Sequence, residues 1–222
     1  MEQQMSGRLQ SWGRIAVWTV AVYGILLAAS TITHQPDYKT DFPAYADYVT
    51  TQQFLVSHVL GSIAGAGFAL VGAAAIFILA VRSAPRTSGW GFILWSFAQV
   101  GLASVFGVAA FFQPAVGQAF IDGGGDVAVN INERVYDGPV LAMVGVGLVL
   151  FLVGAILLGM AARRTELLPR WAGLTFAVSA VAFVLSFFLF ETVQPVAGLG
   201  IAVAGVGFGV GARRVPTTIG SE

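Results

Sequence analysis

Residues 90–114 read WGFILWSFAQVGLASVFGVAAFFQP, a run with no Asp, Glu, Lys or Arg that opens on tryptophan and closes on Gln-Pro. A helix rises ~1.5 Å per residue, so ~20 such residues match a ~30 Å hydrocarbon core. The same frame occurs twice more. Trp12 precedes Gln35-Pro36, Trp90 precedes Gln113-Pro114 and Trp171 precedes Gln194-Pro195, with 23 residues from Trp to Gln each time.

Working outward, six stretches lack ionisable Asp, Glu, Lys and Arg: 15–33, 60–81, 89–112, 139–162, 171–190 and 196–212. Each is expected to span a bilayer as a helix. The even-numbered spans share a pattern as well, since Leu70-Val71-Gly72-Ala73 and Leu152-Val153-Gly154-Ala155 each stand twelve residues before an arginine, Arg82 and Arg164. The reading is an all-α, polytopic membrane protein: six transmembrane helices as three tandem helical hairpins, an approximate internal threefold repeat. One integral membrane domain covers 1–222, with hairpins at approximately 12–82, 90–164 and 171–214.

Composition agrees. The chain is 57% apolar and 10% charged, with a mean hydropathy of +0.82, against about 25% charged in soluble domains. Eleven cations balance eleven carboxylates, which gives no electrostatic footprint for nucleic acid. The absence of cysteine excludes disulfides, thiolate metal sites and Cys nucleophiles.

Nine of the eleven cations, Arg8, Arg14, Arg82, Arg86, Arg163, Arg164, Arg170, Arg213 and Arg214, fall on one side of the six spans. Cationic segments near span ends stay cytoplasmic, so both termini are expected inside and the protein in the plasma membrane. The other side holds two longer loops, 35–56 and 114–138, with Lys39, Arg134 and seven carboxylates. A signal peptide is the rival reading of the first span, because Ala28, Ala29 and Ser30 end its apolar run; membership of the repeat argues against it.

The markers have structural readings. Tryptophan suits the interface, and proline is expected to end each odd helix at the outer surface, its glutamine satisfying free carbonyls. Gly61 and Gly65, Gly205 and Gly209, and Gly207 and Gly211 stand four apart, which allows close helix approach and predicts a tightly docked sixth helix.

Candidate site residues are few. No ionisable group lies inside a span, and Gln99 is the most polar mid-span side chain. Lys39, the only lysine, stands in a loop, which excludes a buried retinal Schiff base. Gln35, Gln113, Gln194, Gln99 and Glu191 are the candidates for ligand or partner binding. His34, His58 and Glu191 form a candidate two-histidine, one-carboxylate metal set at the outer surface. Asp122-Gly123-Gly124-Gly125-Asp126 lacks EF-hand spacing and reads as a solvated turn.

No catalytic constellation is present, and no cofactor can be named. The favoured function is a non-catalytic membrane subunit or scaffold that binds a partner protein, a second copy or a hydrophobic ligand through its extracytoplasmic face. The alternatives are a small-molecule or ion transporter or channel, and a membrane component of an oxidoreductase with the outer metal site.

Overall fold

The apolar runs fold as helices. The computed structural model describes residues 2–188 and 192–214, and among them there is no strand. Four segments are long and apolar enough to cross a membrane: Gly7–Ser30, Gln52–Ala80, Pro85–Ala162 and Val193–Arg214. A fifth apolar helix, Arg170–Ser186, has 17 residues, or ~25 Å of rise. The end of the expected 171–190 span at 189–190 lies outside the described residues.

The first segment joins α1 (Glu2–Ala16) to α2 (Thr19–Ser30). The Thr19 hydroxyl donates to the Ala16 carbonyl at 2.7 Å, which competes with the helical ladder at that joint. Short helices α3 (Phe42–Val49) and α4 (Gln52–Val56) follow, then a π-helical stretch, Ser57–Ala64, that runs into α5 (Gly65–Ala80).

Pro85–Ala162 is one apolar segment that folds back on itself. It contains α6 (Pro85–Ala119), α7 (Gly125–Val135) and α8 (Leu141–Ala162). Gly123 supplies the turn after α6 with φ 99°, and the backbone breaks again at Gly138 with φ −120° and ψ −119°. Helices α6 and α8 therefore lie antiparallel, Gly91 against Leu158 and Gly154 against Trp95. Helices α9 (Arg170–Ser186) and α10 (Val193–Arg214) complete the described residues.

The long helices close a ring: α2 packs on α5, α5 on α6, α6 on α8, α8 on α9, α9 on α10, and α10 returns to α2. Aromatic side chains fill its middle. Trp95, Phe151, Phe176 and Phe208 are fully buried, with the Trp95 ring 4.6 Å from Phe151 and 5.5 Å from Phe176. The Trp95 indole N–H donates to the Ala69 carbonyl at 3.2 Å, so its one polar atom is satisfied inside the core. Among Val20, Tyr23, Ala73, Ile76, Trp95 and Phe176 no room for a water molecule remains.

Small residues set the helix spacing. Any side chain on Gly24 or Gly205 would run into the backbone of Ala202 or Ala21, so α2 and α10 touch main chain to main chain. The expected tight docking of the sixth apolar run is found.

The Gln-Pro expectation is corrected. Only Gln35-Pro36 follows a helix end, in irregular chain after α2. Helix α6 continues through Pro114 to Ala119, because Val116 and Gly117 beyond the proline pack on α3 at Ala46 and Val49, offsetting the lost bond to the Ala110 carbonyl. Gln194-Pro195 opens α10 rather than ending α9, in a first turn whose N–H groups need no intrahelical partner.

Candidate functional site

The segments expected as loops on the acidic side build a second layer over one end of the ring. Their sequences carry helix-start chemistry: the Asp41 carboxylate accepts from the Ala44 N–H at 3.0 Å ahead of α3, and the Thr51 hydroxyl accepts from the Phe54 N–H at 3.2 Å ahead of α4. Helix α6 is 35 residues long, ~52 Å, so its far end projects beyond a ~30 Å hydrocarbon layer. Onto that projection pack α3 and α7. Phe42, Tyr45, Ala46, Val49, Phe54, Val116 and Ala128 form a hydrophobic core separate from that of the ring.

Polar groups tie this cap together. Inside it, the Tyr45 hydroxyl donates to the Asn132 side-chain oxygen at 3.0 Å, and both residues are fully buried. The Asn132 amide nitrogen has no partner. The Tyr136 hydroxyl looks toward Gln113 without closing a hydrogen bond of good geometry. At the edge, Lys39 pairs with Asp137 at 2.8 Å while the Tyr38 hydroxyl donates to the same carboxylate at 2.9 Å. Those two donors, Lys39 first, hold the Asp137 carboxyl below its ordinary range. The Asp137 hydrogen bond likewise raises Lys39, and burial raises the Tyr45 hydroxyl.

The candidate residues fall at several places in the fold. Gln35 donates to the Gln113 side-chain oxygen at 3.4 Å, so two of the three marker glutamines meet under the cap, with Gln113 buried. Gln194 is half-buried in the first turn of α10. Gln99 is buried within the ring beside Tyr23, and its amide nitrogen is unpartnered. His34 is exposed after α2. His58 lies with its Nδ1 3.0 Å from the Phe54 carbonyl and its ring 4.1 Å from the Phe54 ring, which commits one nitrogen to the backbone. Glu191 lies outside the described residues. Among the described residues no three His, Asp or Glu side chains gather as a metal site.

Sequence reasoning noted Asn132 and Asp137 only as polar groups of the second loop and missed their partners Tyr45 and Tyr38. The available signals were the Asp41 cap followed by Pro43 and the Thr51 cap, which mark the first loop as helical.

The cap offers neutral hydrogen-bonding groups, one ion pair and an exposed helix face. On α7, Val127 and Ile131 stand one turn apart and are 66% and 45% exposed, beside exposed Asp126, Asn130 and Arg134. No protein-family model, curated protein or solved structure matches the chain.

Proposed function

We propose that the chain is a six-span plasma-membrane protein with both ends of this sequence cytoplasmic, acting as a non-catalytic subunit or scaffold whose extracytoplasmic cap recognises a partner protein. The nine arginines at one end of the ring support the orientation. The antiparallel α6 and α8, and the place of α9 as one member of the ring, support six crossings. The equivalent positions Val17, Trp95 and Phe176, five residues after each marker tryptophan, are all fully buried, which supports the threefold reading.

The observation that carries the functional reading is the cap's own closed core, built around the fully buried Tyr45–Asn132 bond. A fixed platform that holds Val127 and Ile131 out toward solvent lowers the ordering cost of association. A transport path along the ring axis would have to displace Trp95, Phe151 and Phe176, which weighs against that alternative.

The test is purification in mild detergent with mass spectrometry of accompanying chains. A stoichiometric partner is expected, retained by the parent and lost by the double variant Val127→Asp/Ile131→Asp at unchanged thermal stability. A parent protein that purifies alone, or a variant that keeps its partner, overturns the reading. In the same cells, Gly124→Cys should label from outside and Ser83→Cys only after permeabilisation.

A further inference from the structure

From the arginine-rich end, beside the start of α9 and along one face of α10 from Arg214 back to Leu199, runs an open groove of about 710 Å³. That volume falls in the ~300–1,000 Å³ range of small-molecule sites. Its walls are apolar: Leu199, Val203, Val206 and Val210 form one ridge, and Pro169 with Trp171 forms the other. Arg214 stands at its mouth. Among the described residues Arg214 makes no hydrogen bond or ion pair, and neither does the neighbouring exposed Arg170.

We infer that this groove holds an anionic phospholipid, with one acyl chain along the valine ridge and the phosphate at Arg214. The inference needs the bilayer but not the cap's recognition role. Charge decides the class of ligand. An unpaired guanidinium at the open end of an apolar channel complements a lipid whose tail is hydrocarbon and whose headgroup is negative, and basic sites between helices on the cytoplasmic side take such headgroups. The length fits too: Leu199 and Arg214 are 15 positions apart, ~22 Å of helix, enough to run from the headgroup level past the middle of a ~30 Å core.

A second transmembrane helix fits less well. Small residues recruit helices by letting backbones touch, but the small face of α10 here is already covered. Gly207 lies against the Trp171 indole and Gly211 against the Pro169 ring. What remains between the ridges suits a thin, flexible chain. Trp171 is 54% exposed, which leaves part of its ring free to lie along a tail.

Native mass spectrometry of the full chain in detergent, with phosphatidylglycerol or phosphatidylcholine of identical acyl chains, tests this. One phosphatidylglycerol per protein is expected, in preference to phosphatidylcholine. Arg214→Gln should weaken that preference about fivefold, the share of one cation near an anionic surface, while Arg86→Gln at the same end leaves it unchanged. Val206→Trp, on the lipid-facing ridge, should block both lipids without lowering thermal stability. Equal binding of the two lipids, or an unaltered preference in Arg214→Gln, overturns the proposal. So does a parent dimer that Val206→Trp converts to monomer, since a second copy would then be the occupant.

Discussion

The ring and the cap are held by different physics. The ring joins its helices through small residues and interlocking aromatic rings, with the Trp95–Ala69 bond one of few polar links. The cap closes a conventional hydrophobic core, caps its helices with Asp41 and Thr51, and adds a buried Tyr–Asn bond and a surface ion pair. The proposed bilayer placement accounts for the contrast: lipid tails are as apolar as leucine, so helices in a bilayer gain from close contact rather than from leaving water. A cap outside the bilayer has the ordinary hydrophobic driving force.

The sharpest way to break this comparison is to insert bulk where backbones touch. Gly205→Leu should destabilise the ring by about 3 kcal/mol or more, beyond ordinary overpacking because the Ala21 main chain cannot move aside. Unfolding in a denaturing detergent titration reads it. Gly67→Leu, with open space around the added atoms, is the matched control and should be silent. Equal stability of the two variants would show that glycine contacts do not hold the ring.

Loss of the cap's buried bond should be smaller and local. Tyr45→Phe strands the Asn132 side chain, a cost of about 1–3 kcal/mol for a buried polar group left unmet. Hydrogen exchange should quicken in α3 and α7 and stay unchanged in α8 and α9; equal quickening throughout would mean that the two layers unfold as one.

The smallest effect belongs to the edge clasp. Asp137 is held below its ordinary value of 3.8, so its contribution is present above that pH and disappears as pH falls through the lower folded value. Lys39 is raised above 10.5, so its contribution is present below that pH and disappears as pH rises through the higher folded value. Cap protection factors, taken against the intrinsic exchange rate at each pH, should therefore be flat between about pH 5 and pH 9 and fall outside that window. A step near neutrality would assign the cap's titration to another group.

Much of the ring is legible in the sequence, because charge-free runs, arginine-bearing ends and paired glycines each report a local requirement. The Gln-Pro markers mislead for a physical reason. Proline removes one hydrogen bond, and whether a helix continues past it depends on what the following residues bury; Val116 and Gly117 have α3 to pack on. The break in the backbone that follows α6 is written nine residues later, in Gly123 with its positive φ. The Asn132–Tyr45 bond joins residues 87 positions apart, and no local pattern announces such a partner. The lipid groove is illegible too, since it depends on how α9 rotates against α10.

Ring closure has a consequence for biosynthesis. Main-chain contact at Gly24 and Gly205 joins α2, among the first helices made, to α10, the most C-terminal described. Until α10 leaves the ribosome, the helices already made can form only an open arc, with Ala21, Gly24 and Ala28 of α2 left uncovered. Each nascent chain must wait in that state without joining its neighbours. The order of synthesis thus leaves until last the contact that closes the ring.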